Sequence, residues 1–239
     1  MTTMRAWMDK TFYPGFRDKW DDKMFRERIL PLTGADKMVL DLGAGAGIIK
    51  EMDFRRKCGS IFGIDLDPRV ENNPYLDEGK IANAENIPYP DSHFDLIFSN
   101  NVIEHIADPD KVFSEVCRCL KPGGHFMFKT PNVFHYMPLI SRITPHSFHQ
   151  FVNKLRGRKV VDTFPTCYRA NSKKRVSSLA VQCGFKVNRI ELIEGRPEYL
   201  RINPLLYTAG VAYERLVNAT EFLSTFRILL IVDLVKADK

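Results

Sequence analysis

Val39-Leu40-Asp41-Leu42-Gly43-Ala44-Gly45-Ala46-Gly47 is the stretch on which the reading of the fold turns. From Met38 to Leu42 the chain is apolar except at Asp41, and it is short enough for a strand buried on both faces. Glycines at 43, 45 and 47 follow at once, and Ile48 and Ile49 then open a pattern read as a helix from about Ala46 to Lys57. Glycine there lets backbone come within contact distance of a ligand, at an entropic cost that a plain turn does not require. The spacing is G-x-G-x-G, not the G-x-G-x-x-G of a dinucleotide fold, and an acid stands two residues before the first glycine. A carboxylate there gains nothing from a pyrophosphate, whereas a ligand carrying an ammonium would suit it.

The rest of the composition bounds the answer. A chain of 239 residues with 44% hydrophobic and 27% charged residues fits one soluble α/β domain with insertions. No apolar run reaches the roughly 18 residues of a membrane span, and Arg5, Asp9 and Lys10 around Trp7 give no signal-peptide core. Five scattered cysteines lack a zinc spacing and read as reduced residues of a cytoplasmic protein. The net charge of +6 permits an anionic partner without requiring one.

Taken in order, the spacing of Trp20, Met24, Phe25, Ile29 and Leu30 predicts a helix from about Asp18 to Leu30 within an N-terminal helical cap, 1–36. Ser60–Asp65 is the second strand. Asp65 at its carboxyl end is placed to accept from a ribose diol, and Asp67 before Pro68 is placed to cap a helix. Lys80–Asn83 reads as the third strand, Phe94–Ser99 as the fourth and His125–Lys129 as the fifth. A helix starts at Asp108-Pro109, with Val112, Val116 and Leu120 as its stripe, and ends at Lys121-Pro122-Gly123-Gly124. Lys174–Cys183 is a further helix and Phe185–Ile193 a sixth strand. Asn203-Pro204 opens a helix whose apolar stripe reads Leu205, Ala209, Ala212, Leu216 and Leu223, and Phe226–Lys236 is the last strand. Strands alternating with helices imply a parallel sheet with right-handed crossovers.

As an ordered set, Asp41 to Gly47, Gly63-Ile64-Asp65, Ala84-Glu85-Asn86-Ile87-Pro88-Tyr89, Phe94 to Ile97, Val102-Ile103-Glu104-His105 and Leu120 to Gly124 resemble class I S-adenosylmethionine-dependent methyltransferases. The resemblance covers about 37–132, the cofactor-binding core. It implies a Rossmann-like, doubly wound α/β fold: a mostly parallel seven-stranded sheet with helical insertions and an antiparallel last strand slotted between the fifth and sixth. It further implies that Gly43, Ala44, Gly45 and Gly47 line the methionine part of S-adenosylmethionine, with Asp41 near its ammonium. Asp65, with Leu66 beside it, would bind the ribose. Ala84 would offer its N–H to adenine and Asn83, with Glu85 beyond it, would face the exocyclic amine. Many relatives carry aspartate where Asn83 stands, but an amide oxygen still accepts that bond. Asn100 would pass beside the methionine portion.

Beyond 132 the shared pattern stops. Residues 133–172 form an insertion where such enzymes usually carry acceptor specificity, and 173–239 complete the sheet around a second, helical insertion at 195–225. Methyl transfer from a sulfonium needs positioning and, for a hydroxyl acceptor, a base. The candidates are His105 at the sheet edge, equally readable as a packing residue, and His135, His146 and Tyr168 in the insertion, where any single one reads as surface or packing but the cluster suits an acceptor site. Glu104-His105 lacks the further ligands of a metal site, so no metal is expected. Between Met137 and Lys159, apolar residues alternate with Arg142, Lys154, Arg156 and Arg158. That pattern reads either as a lid with a solvated basic face or as a peripheral contact with anionic lipid at the inner membrane face.

The expected activity is methyl transfer to a hydroxyl of a small-molecule, glycan or lipid-linked acceptor. Segments such as Thr130-Pro131-Asn132 are similar to those of bacterial glycan and glycolipid methyltransferases. A nucleic-acid methyltransferase is supported only by the charge, and Ser99-Asn100-Asn101-Val102 lacks the Pro-Pro-aromatic motif of enzymes acting on DNA base amines, so no DNA partner is expected. A nicotinamide oxidoreductase fits the sheet but not the glycine spacing. A non-catalytic binding module is the remaining alternative.

Overall fold

The computed structural model describes residues 2–16, 21–143 and 165–238. Seven strands form one sheet: β1 (Met38–Leu42), β2 (Ser60–Asp65), β3 (Glu78–Ile81), β4 (Phe94–Asn100), β5 (Leu120–Pro131), β6 (Phe185–Ile193) and β7 (Leu229–Lys236). Their order is β3-β2-β1-β4-β5-β7-β6. β1 runs parallel to both β2 and β4, β2 to β3, and β4 to β5, so the carboxyl ends of β1 to β4 lie on one edge. One strand of the seven is antiparallel, and β7 sits between β5 and β6. There Asp233 on β7 receives a hydrogen bond from Asn188 on β6 (2.6 Å) and lies 2.8 Å from His125 Nδ1 on β5.

The chain divides into two compact units. The first holds the sheet: Asp21–Thr130, Thr166–Glu191 and Leu230–Lys239. Its core is apolar strand residues such as Val39, Leu40, Leu96, Ile97 and Phe98, all fully buried. Helix α3 (Pro109–Cys119) is capped by Asp108, whose carboxylate accepts from the Lys111 N–H, and buries Val112, Phe113, Val116 and Cys119. Phe113 packs edge-on against Phe126 and Phe128 of β5 at 5.4 and 5.8 Å. Helix α2 (Asp21–Ile29) buries Phe25 and Ile29, as its spacing predicts, though the expected start near Asp18 and Trp20 falls outside the described residues. A further helix, α5 (Lys173–Gln182), starts at a Ser172 cap.

The second unit comprises Met1–Trp20, Pro131–Pro165 and Leu192–Leu229. It contains α1 (Thr2–Phe12), α4 (Tyr136–Ile143) and α6 (Pro204–Ala219). Met8 of α1 packs with Tyr207 and Val211 of α6, and the Tyr207 hydroxyl donates to Asp9 (2.7 Å). Asn203 caps α6 through the N–H groups of Leu205 and Leu206, as expected.

Several expectations are corrected. No α-helix follows the glycine turn; a 3-10 turn at Lys50–Met52 stands where a helix from Ala46 to Lys57 is predicted. Carbonyls of Glu51 and Asp53 that a helix would bond internally are taken by the Arg26 guanidinium at 2.5 and 2.7 Å. Asp53 also accepts from the N–H of Arg55, and Arg56 adopts a left-handed conformation, each of which favours a turn over a helix. The third strand ends at Ile81, leaving Asn83 in the loop beyond it. β5 begins at Leu120, not His125, pairing with Phe94 ahead of an irregularity. In α6 the buried face is Tyr207, Gly210, Val211, Glu214 and Val217, and the predicted stripe is turned outward.

Candidate functional site

The carboxyl ends of β1 to β4 flank the point where strand order reverses, the position at which open α/β sheets bind ligands. Gly43, Gly45 and Gly47 all have positive φ, at 85°, 50° and 67°. A Cβ at Gly43 would lie 2.2 Å from Val102, and one at Gly47 2.3 Å from Asn73, so no side chain fits at either. The turn is fastened from within. The Gly43 and Ala44 N–H groups donate to the Ile64 carbonyl, and the Gly45 N–H donates to Asp65 Oδ2 at 2.8 Å. Asn73 donates to the carbonyls of Ala44 and Gly45. With the Gly43, Ala44 and Gly45 donors spent and no α-helix starting there, the turn offers no helix N-terminus to a pyrophosphate.

Asp41 is buried beneath this turn at 6% exposure. Its carboxyl has no hydrogen bond or ion pair with any described residue. Burial, and then the charge of Asp65, push its pKa well above the ordinary carboxylate value. A lone buried carboxyl is stabilised by a cation brought to it, so the site fits a ligand ammonium. Asp65 divides its carboxylate between the Gly45 and Asp67 N–H groups, both at 2.8 Å. Each oxygen keeps lone-pair capacity for a ribose diol.

Leu66 and Ile81 stand 70% and 51% exposed at this edge, as do Ile48 (71%) and Ile49 (36%), apolar surfaces suited to an aromatic base. The Ala84 N–H donates to no acceptor among the described residues. Asn83 Oδ1 accepts from the Glu85 N–H (2.9 Å), which leaves its second lone pair for an exocyclic amine. Glu85 itself lies 3.7 Å from Lys111.

At the end of β4, Asn100 donates to Asp22 of α2 (3.0 Å), while its Oδ1 is buried with no partner among the described residues. Asp22 also binds the fully buried Lys129 ammonium (2.6 Å), which reaches Asp21 as well (2.7 Å). The sequence reading misses this ion cluster because Asp22 and Lys129 lie far apart in the chain and neither has a local signature. It likewise misses Asn73, marked only by the turn signal Asn73-Pro74.

Of the candidate bases, His105 is half-buried on a 3-10 turn, Ile103–His105, directly beyond β4. Tyr168 is brought to the same place, since its N–H and that of Cys167 donate to the Glu104 carbonyl. The Glu104 side chain accepts from Thr130 (2.8 Å), which in turn receives Asn171 (2.7 Å), and burial raises the Glu104 pKa. His135 belongs to the second unit and is 1% exposed. Its Nδ1 accepts from the Met137 N–H, its Nε2 lies 3.4 Å from Glu194, and burial depresses its pKa to about 3. Burial raises Glu194 to about 8. His146 lies outside the described residues, as does most of the 137–159 segment. Among the described residues no group of three His, Cys, Asp or Glu could hold a metal.

The raised Asp41 pKa has a definite pH signature. Between the unfolded and folded pKa values the folded chain binds the extra proton, so the ligand-free protein loses stability as pH rises through that window. A ligand ammonium favours the charged form, so affinity should fall as pH drops through the raised pKa. Asp41→Asn should remove that dependence, weaken binding and stabilise the free chain near neutrality, measured by calorimetry and thermal melts.

A family model described as a methyltransferase domain matches residues 17–171. Ubiquinone/menaquinone biosynthesis C-methyltransferase UbiE of Laribacter hongkongensis is 35% identical over 99 residues, 37% of this chain and 41% of the relative. Ubiquinone biosynthesis O-methyltransferase of Acinetobacter baylyi is 28% identical over 139 residues, 49% and 58% of the two chains. The chain spans about half the length of the curated relatives it matches. Geranyl diphosphate C-methyltransferase of Streptomyces coelicolor, solved with Mg²⁺, geranyl diphosphate and S-adenosyl-L-homocysteine, superimposes with a TM-score of 0.56 at 15% identity. That match covers 90% of this chain and 78% of the other, and supports the fold.

Proposed function

The chain belongs to the methyltransferase-domain family, and from that membership we propose that it is an S-adenosylmethionine-dependent methyltransferase acting on a hydroxyl of a small-molecule, glycan or lipid-linked acceptor. The observation that carries the cofactor assignment is the lone buried Asp41 carboxyl beneath three left-handed glycines. Asp41 and the free Asn100 Oδ1 would receive the ammonium, Asp65 the ribose, and Leu66 with the Ala84 N–H the adenine. When bound, S-adenosylmethionine supplies an electrophilic methyl on a sulfonium. The chain's part is to align the acceptor oxygen and accept its proton. His105, beside Glu104 and the Tyr168 backbone at the sheet's carboxyl edge, is the group we assign to that proton. Acceptor choice is assigned to the 133–172 insertion, and contact with anionic lipid at the inner membrane face to 137–159, in a cytoplasmic protein. The exposed Leu139 and Ile140 support the membrane part.

Oxygen is taken as the methylated atom on the likeness of segments such as Thr130-Pro131-Asn132 to those of glycan and glycolipid methyltransferases, and the relatives' names include both O- and C-transfer. A screen with labelled cofactor against hydroxyl-bearing glycans, lipids and RNA tests the acceptor class. With a substrate in hand, His105→Gln should lower kcat by roughly 10²- to 10⁴-fold while leaving S-adenosylhomocysteine affinity unchanged. His135→Gln, with both ring nitrogens facing protein groups, should act mainly through stability. If substitutions at His105, His135, His146 and Tyr168 all leave the rate intact, transfer by proximity alone replaces this reading.

A further inference from the structure

Four cations gather where helix α5 begins. Arg169 precedes it, and Lys173, Lys174 and Arg175 occupy its first turn behind the Ser172 cap, with no acid among them. A helix N-terminus carries partial positive charge, so acids stabilise the first turn and cations destabilise it. Three consecutive cations there run against local stability, and an anion brought to this end offsets them. Asp110 of α3 meets Arg175 at 2.7 Å, through side chains 55% and 38% exposed, a pair of modest worth. Arg169, Lys173 and Lys174 have no carboxylate partner among the described residues.

The mount of Arg169 is rigid. Ala170 and Asn171 are buried, and the Asn171 amide donates to Thr130 (2.7 Å). The Cys167 and Tyr168 N–H groups donate to the Glu104 carbonyl, and Tyr168 takes a left-handed φ of 50°, costly for an aromatic residue. From this strained segment the Arg169 guanidinium reaches back to Ala107, donating one N–H to its carbonyl at 2.9 Å. That bond uses one of five donors and fixes the fork, leaving the others for an anion. Arg169 and Arg175 line one cavity of about 450 Å³, whose wall is completed by Ala107, Asp108, Pro109 and Asp110. Ala107 lies two residues beyond His105, a span of at most about 7 Å along the backbone.

We propose that this cavity receives a phosphate or carboxylate group of the acceptor, held by the Arg169 guanidinium with Arg175 beside it. Calling the ligand the acceptor rests on the function proposed above; the anion site does not. A guanidinium fork matches either anion through two parallel hydrogen bonds. Asp108 is engaged by Lys111, through its N–H (3.3 Å) and its ammonium (3.2 Å). Asp110 is therefore the acid that an incoming anion must displace from Arg175. An acceptor anchored here keeps a hydroxyl within reach of His105, the assigned base.

Titration of the full chain with inorganic phosphate and, separately, with acetate at constant ionic strength reads the site by two-dimensional NMR. The signals are the Arg169 Nε–H and the Ala107 and Asp110 amides. Phosphate should shift them saturably. Arg169→Gln should weaken that binding roughly tenfold or more, as loss of a hydrogen bond to a charged group does. Asp110→Asn should strengthen it by roughly threefold, because the competing carboxylate is gone. Arg189→Gln, at an exposed arginine on β6, should bind phosphate as the wild type does. Circular dichroism melts confirm that each variant is folded. A response to phosphate and not acetate identifies a phosphoryl group, and a response to both admits a carboxylate. In the labelled-cofactor screen, phosphorylated or carboxylated sugars should be methylated ahead of their neutral parents, with KM rather than kcat raised in Arg169→Gln. No saturable response to either anion at Arg169, or one that survives Arg169→Gln, overturns the anion site. Equal methylation of charged and neutral sugars overturns its assignment to the acceptor. Absent S-adenosylhomocysteine binding would contradict the proposed function alone, because the phosphate titration needs no cofactor.

Discussion

Replacing Asp65 with alanine is expected to weaken S-adenosylhomocysteine binding by about 3 kcal/mol or more, above a hundredfold. Two losses combine. A carboxylate accepting from ribose hydroxyls contributes roughly 1.5–3 kcal/mol as a charge-assisted hydrogen bond. The same carboxylate holds the Gly45 and Asp67 N–H groups, so its removal releases the turn that lets backbone approach the ligand. Ordering that turn must then be paid out of binding energy. Asp65→Asn keeps an acceptor oxygen and should lose less. Calorimetric titration of both variants separates the two contributions, and an Asp65→Ala affinity within threefold of wild type would remove Asp65 from the site.

The second large effect is on stability. Lys129→Met should cost about 3–5 kcal/mol, read from urea unfolding, because it breaks an ion cluster and leaves a carboxylate behind. Lys129 is fully buried, and its side chain meets Asp21 and Asp22, whose side chains are 35% and 10% exposed. Asp22 cannot readily rehydrate, whereas Asp21 can. Asp21→Asn should therefore cost far less than Lys129→Met.

What was legible in the sequence follows the range of the forces involved. The strands β1, β2 and β6 coincide with their predicted bounds because an apolar run between turn residues is a local signal. The caps at Asp108 and Asn203 are equally local. The helix expected after the glycine turn fails for a long-range reason: Arg26, on another element, takes the carbonyls it would need. Periodicity finds the seam Leu205 to Leu216 but not the side of α6 on which it packs, since Tyr207 and Val211 define a second apolar face. The site shows the same division. Asp41 and the glycines stand in one short pattern and Asp65 ends the next strand, whereas Asn73 and Lys129 act through partners distant in the chain.

On the function proposed, the carboxyl edge of β1 to β4 binds S-adenosylmethionine and not a dinucleotide. Calorimetry of the full chain against S-adenosylhomocysteine and against NAD tests it most directly. We expect one saturable site for S-adenosylhomocysteine, strongly weakened in Asp65→Ala, and no comparable heat with NAD. Tight NAD binding with no response to S-adenosylhomocysteine would contradict the account.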